Sequence, residues 1–312
     1  MWVFSRVLSS LAVLLVVSAL LFALCRATPV SPARLVLGAE ASAEQVAEFE
    51  QQYGLDKPVV TQYGQWLRGA ATLDLGESYV SGQPIVAQIR RTLPVTVELV
   101  SLAFVVTVLV SIVFGVAAAL DEDGWADHAL RLLAMVGLSV PGFWLALLLV
   151  RAFAVDLGWF PPGGLPSWSD GVLPHLKALV LPVASISIYY IAVLSRLVRA
   201  NMLETLSQDY VRTARAMGLA PLRVAVYAVK NALPPLASMA AMVYGYMFGW
   251  ALIVEQVFSL PGVSRDLLAA IFARDYPLVQ AIVLVITVIF IASNTLADIL
   301  QRSLSPKLSG SH

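Results

Sequence analysis

Six strongly apolar windows, at about residues 8–24, 95–120, 130–155, 178–193, 233–254 and 278–300, constrain this chain more than any other feature. A bilayer's hydrocarbon core is crossed by about 20 mostly apolar residues in helical form. Backbone N–H and C=O groups find no water there, so each segment must satisfy its own hydrogen bonds, which selects α-helices for runs of this length. The hydrophobic fraction of 59%, against roughly 45–50% for a soluble domain, agrees. The fold class predicted is an all-α membrane protein with six transmembrane helices. An even number of spans puts both termini on one side.

The first window admits two other readings. Arg6 precedes a short apolar run and "CRA" stands before Thr28, as at a signal-peptide cleavage site; "FALC" ending at Cys25 suggests a lipoprotein site, but the bulky Leu24 is wrong for it. An uncleaved first span is the reading adopted. Cys25 is the single cysteine, so the chain has neither a disulfide framework nor a cysteine metal cluster.

Lys and Arg are equal in number to Asp and Glu, 20 each, so no global attraction to nucleic acid follows and any charge signal is local. Six cations lie between Arg196 and Lys230, one between Asp156 and Lys177, and two between Glu255 and Pro277. Short cation-rich loops stay inside, so residues 196–230 and both termini are expected to be cytoplasmic. The loop "DEDGWAD" at 121–127 falls inside on the same count yet carries no cation. Residues 28–94 are expected to form a small extracytoplasmic cap containing one capped amphipathic helix from Ser42, with Glu44 and Gln45 in its first turn and Gly54 as its stop.

The basic inner segment reads "YVRTARAMGLAPLRVAVYAVKNALPP". Ser207 or Asp209 can cap a short helix that Gly218 ends in the left-handed conformation. Tyr210, Ala214 and Met217 share one face of it, flanked by Arg212 and Arg215. Pro221 suits the first turn of a following helix that runs towards Pro234 and Pro235. This spacing alone fits a basic helix lying on anionic headgroups or a helix seated in a partner's groove.

"QDYVRTARAMGL" resembles the cytoplasmic signature loop of ABC-importer permeases, specifically the B-type subunit of dipeptide and oligopeptide importers. Further blocks carry the resemblance in order along most of the chain: "PARLVLGAEAS", "YGLDKPVVTQYGQWL", "RTLPVTVEL", "GLSVPGFWLALLL" and "VEQVFSLPGVSRDLLAAIFARDYPLVQ". The family's Glu-Ala-Ala triplet falls on Arg212, Thr213 and Ala214, its Gly on Gly218, and its apolar-Pro pair on Leu233 and Pro234, about three residues farther along than the general pattern. The Glu is replaced by Arg212.

The resemblance implies a fold of the ABC importer permease type. It also implies that Asp209, Tyr210, Arg212, Thr213, Ala214, Arg215, Met217, Gly218 and Leu219 couple the chain to a cytoplasmic ATPase. The implied partners are a second homologous permease, two ABC ATPase domains that hold ATP and magnesium, an extracytoplasmic peptide-binding protein and the lipid membrane, with no nucleic acid. Nickel permeases resemble peptide permeases, so nickel is the rival substrate. The implied organisation is a first helix at 1–27, a cap at 28–94, a five-helix core at 95–302 with its coupling loop at 201–231, and a cytoplasmic tail at 303–312.

No G-x-x-x-x-G-K-[ST] loop is present, so ATP chemistry belongs to another subunit and the chain is expected to be non-catalytic, with no cofactor of its own. His128, His175 and His312 lack metal-ligand spacing, and each is read as an interfacial side chain rather than a metal ligand. Glu98, Arg131, Arg151, Asp156 and Asp298 lie near span ends, where snorkelling explains them without proton coupling. The alternative class is an ATP-independent channel or carrier. In "MAAMVYGYMFGW", Tyr244, Met247 and Phe248 are candidates for the substrate path, and Gly245 and Gly249 for helix packing. Glu255, Arg274 and Asp275 are candidates for docking the binding protein.

Overall fold

The computed structural model describes residues 2–27, 31–38 and 40–304, and the expected tail at 303–312 lies almost wholly outside them. The described residues are overwhelmingly helical, and their only β pairing is an isolated bridge between Glu77 and Pro84. The chain divides into two compact units, Met1–Thr96 with Pro261–Ile291, and Val97–Leu260 with the segment beginning at Ala292.

In the first unit, helix α1 (Trp2–Arg26) supplies the first candidate span. Helices α2 (Pro32–Leu37), α3 (Ala43–Gln52) and α4 (Val59–Ala71) build the cap. Helix α3 starts as the sequence predicts: Ser42 Oγ accepts from Gln45 N while the Gln45 side chain accepts from Ser42 N. Gly54, at φ 64°, ends it. Two aromatic clusters, Phe22–Tyr63–Trp66 and Phe49–Tyr53–Tyr79, pack this unit. Burial pushes the Tyr79 phenol above its ordinary range, against the pull of Arg26.

The long helix α5 (Ile85–Leu120) begins ten residues before its predicted window and keeps Pro94 inside. The third window is not one straight helix. Helix α6 (Trp125–Ser139) and helix α7 (Gly142–Leu149), with the π-helical extension Val150–Asp156, meet at a 104° bend. Pro141 explains the break: it has no N–H for the helix ladder and holds Val140 extended, at ψ 123°. Helix α8 (Val172–Leu206) is followed by helix α9 (Asp209–Ala216) and helix α10 (Pro221–Val257). Pro234 and Pro235 sit inside α10 without ending it, as transmembrane helices tolerate. Helix α11 (Val263–Ala273) and helix α12 (Tyr276–Leu304) complete the chain. Among the described residues five helices are long and apolar enough to cross a membrane, and the bent pair, counted as one span, makes six.

Helix α8 is the central element of the second unit: 72% of its span window is buried, against 17% for α1. Small residues let neighbours close on it. A Cβ on Gly115 of α5 would lie 2.6 Å from Val198 Cβ, and one on Gly137 of α6 would lie 3.3 Å from Ala192 Cβ. Hydroxyls add cross-links, with Ser187 Oγ donating to Ala103 O at 3.1 Å and Ser111 Oγ to Ile191 O at 3.4 Å.

The acidic loop that carries no cation of its own finds its cations in space. Asp127 is fully buried and accepts from Arg199 Nε at 2.5 Å, Arg199 Nη2 at 2.6 Å and Arg131 Nη2 at 2.6 Å. Arg131 also reaches Asp123 at 2.8 Å, and Asp123 N donates to Asp127. Arg131 is therefore an ion-pair residue rather than a snorkelling one, and Arg199 clamps α6 to α8. Removing one partner of a buried pair strands the other charge. Asp127→Asn is expected to destabilise the chain by about 3 kcal/mol, read as a lower melting temperature in detergent; unchanged melting would show that the clamp carries no stability.

Candidate functional site

The basic segment that follows α8 forms a helix, a tight turn and a second helix. Gln208 occupies the N-cap of α9 with extended backbone (ψ 149°) and without a side-chain capping bond, so neither Ser207 nor Asp209 caps it. Asp209 instead lies in the first turn, where its charge favours the helix N-terminus, and its carbonyl accepts from Thr213 Oγ1 at 3.0 Å. At the other end Leu219 N donates to Ala214 O at 3.2 Å and Gly218 N to Arg215 O at 3.0 Å, the paired bonds of a Schellman turn. Gly218 adopts φ 77°, where a Cβ is strained, so glycine is needed at this position.

One residue absent from the sequence reading anchors α9. Val211 is buried, Ala214 is half-buried beside it on the same face, and α9 packs against both α8 and α10. Tyr210 and Met217 point outward, 47% and 75% exposed, so the expected Tyr210–Ala214–Met217 face is split between inside and outside. Arg212, Thr213 and Arg215 are exposed too, and Arg212 makes only a loose 3.7 Å pair with Asp209. The result is a knob with an aromatic ring, a thioether and two guanidinium groups on its free side, packed with its one buried residue, Val211, against the long helices on either side.

The remaining candidates move. Met247 and Phe248 are buried core residues, and Tyr244 packs edge-on against Phe104 and Phe248 with its hydroxyl 3.1 Å from Ser101 Oγ. These three therefore face the interior of the second unit. The open side of α10 is a different stripe: Met239, Met242, Tyr246, Gly249, Trp250 and Ile253 join Tyr189, Tyr190 and Val193 of α8 around a cavity of about 590 Å3. Their spacing of three and four was legible in the sequence as one helix face. A Cβ on Gly249 would meet nothing within 4 Å among the described residues, so this glycine faces open space there. Trp250 closes on Gly142 at the bend, where a Cβ would lie 2.0 Å from the indole.

Glu255 is fully buried, and so is Asp275, whose carboxylate accepts from Ser78 Oγ at 2.5 Å and Tyr79 N at 3.1 Å. Neither offers a docking surface; Asp275 instead ties the end of the cap to its own unit. Arg274 remains exposed, in the left-handed conformation at the end of α11. Glu98 and His175 also depart from the interfacial reading. His175 is buried and stacks on Trp168, with Nδ1 2.6 Å from Pro166 O and Nε2 2.9 Å from Glu98 Oε1. A carbonyl and a carboxyl thus hold the ring from both sides and fasten the 157–171 loop to α5. The Asp156 and Arg151 side chains are exposed, 3.8 Å apart.

Residues 111–310 match the model of binding-protein-dependent transport system inner membrane components, and residues 1–100 match the N-terminal model of such membrane components. The chain belongs to this family. The permease is 40% identical over 307 residues, 98% of each chain, to a Brucella abortus protein named as a peptide transport system permease. It is 33% identical over 308 residues to a Sinorhizobium fredii protein named as a peptide ABC transporter permease, and 36% identical over 308 residues to the glutathione transport system permease protein of Salmonella choleraesuis, each covered to 98% on both sides. It is thus a multi-pass inner-membrane permease of the ABC transporter type. In it, Gly142→Ala should drive the Trp250 ring out of the bend and destabilise the second unit by about 1–3 kcal/mol, measured by thermal melting in detergent. An unchanged melt would show that the indole relocates freely.

Proposed function

We propose that the permease forms half of the translocation pathway of an ATP-driven importer for short peptides, and that α9 is its coupling helix. The exposed knob at Asp209–Ala216 carries the proposal. A membrane subunit without a phosphate loop has one inner helix whose free face is apolar and cationic and whose root lies between two spans. Such a helix fits a groove on a P-loop ATPase, and closure of a pair of ATPases would pass through Val211 into α8 and α10. The peptide assignment rests on end-to-end likeness to relatives named for peptide and glutathione transport, glutathione being itself a short peptide. The partners in this reading are a second permease, two ATPase domains that bind ATP and magnesium, and an extracytoplasmic binding protein. Catalysis stays on the ATPases, and both termini lie on the cytoplasmic side.

The open aromatic and methionine stripe of α8 and α10 is the wall proposed for the pathway. Thioethers and phenols adapt to varied side chains at low cost, which suits a carrier whose binding protein does the selecting.

The test is co-purification from the native host in mild detergent. Met217→Asp puts a charge on the outward face without touching Val211, and should cut the recovered ATPase at least about tenfold, the loss expected when a charge is buried unpaired in an interface. Membrane insertion and recovery of the second permease should be unchanged. ATPase recovery equal to wild type would place the docking surface elsewhere on the inner side.

A further inference from the structure

A second cleft lies between α6 and α8, lined on α8 by residues one to three turns C-terminal to those of the aromatic groove. It measures about 550 Å3 and has Leu130, Ala134, Met135, Leu138 and Ala200 as apolar walls, with Arg131, Arg196 and Arg199 at its polar end. Three observations bear on its occupant. The arginines stand at the ends of their spans, Arg131 in the second turn of α6 and Arg196 and Arg199 two to three turns before the end of α8. The walls open onto a face of α6 that is apolar and uncovered, with Leu132, Met135 and Val136 all more than half exposed. Lastly, the charge at the polar end is not neutralised. Asp127 and Asp123 take Arg199 and one edge of Arg131, while Arg196 is exposed and makes none of the ion pairs among the described residues.

We propose that this cleft holds an anionic phospholipid, with its phosphate on Arg196 and the free edge of Arg131 and an acyl chain along Leu130, Ala134 and Leu138. A cation next to an apolar slot at a span end matches a molecule with an anion at one end and hydrocarbon at the other. A zwitterionic lipid would place a second cation against two arginines. Free phosphate would leave the apolar walls unmatched, and an acidic protein loop would have to carry its polar backbone into a slot that opens towards hydrocarbon. The Asp127 clamp has a second role here, since it sets the spacing of α6 and α8 and so the width of the slot.

The experiment is native mass spectrometry of the full-length permease, purified in detergent and equilibrated with equal amounts of phosphatidylglycerol and phosphatidylcholine of the same acyl chains. Wild type should retain phosphatidylglycerol about fivefold over phosphatidylcholine, the ratio expected from one arginine close to an anionic headgroup. Arg196→Gln, which leaves the Asp127 clamp intact, should bring the ratio close to one, and Arg196→Lys should restore most of it. Leu138→Trp, which fills the slot and keeps every charge, should abolish retention of both lipids at this site. Equal retention of the two lipids by wild type, or a preference that survives Arg196→Gln, would overturn the proposal. Displacement of phosphatidylglycerol by inorganic phosphate at equal concentration would do the same, by showing a site for free anions.

Discussion

Every long segment of this permease obeys one constraint: inside hydrocarbon, backbone hydrogen bonds must be closed within the segment that carries them. Helices follow from that requirement before any packing is considered. It also explains how Pro94, Pro182, Pro234 and Pro235 persist inside helices. Each removes one donor, and neither neighbouring segment nor solvent offers the chain a better alternative than continuing to turn. Pro141 has a different outcome because it stands beside Gly142 and opposite Trp250. There the freed backbone bends by 104° and the indole fills the angle.

With helices given, association within the second unit depends on close approach to α8. Lipid tails are as apolar as leucine, so no hydrophobic drive holds spans together and contact must come from fit and from a few polar bonds. Glycines on α5 and α6 bring their backbones onto α8, hydroxyls bridge the contact, and the Asp127–Arg199 pair fastens the end from which the chain continues into α9. The coupling role proposed for α9 needs that stiffness. Motion delivered to a short helix is useful only if its root cannot move independently of the spans, and Val211 supplies the root. The aromatic groove, the α9 knob and the arginine-lined cleft are then three sites arranged along one packing centre, α8.

Much of this was legible in the residues. The six windows, the cap helix with its Ser42–Gln45 box, and the Gly218 turn all rest on interactions within a few residues of the chain, which is the range over which periodicity and capping chemistry act. The family blocks were readable for the same reason, since each is a contiguous string. The candidate site was legible only in part: α9 and its turn were found, but Val211 was passed over because a lone valine in a basic helix carries no local sign of being the buried one. Tyr244, Met247 and Phe248 turn to the interior of the second unit rather than to its open side, and an aromatic-rich run announces importance without announcing direction.

What the sequence by itself determined is the six apolar windows, the cap helix from Ser42 and the helix–turn–helix at Gly218, since these follow from local hydrogen bonding and from the length of apolar runs, whereas the break at Pro141 appeared only in the structure. Only the tertiary structure decided which charges are spent internally. Asp127 meets an arginine 72 residues away, Glu98 meets His175 across 77, and Asp275 meets Ser78 across 197. A carboxylate near a span end looks the same in the sequence whether it faces water, lipid or an arginine. The energy that separates those cases lies in the partner, and the partner is set by packing.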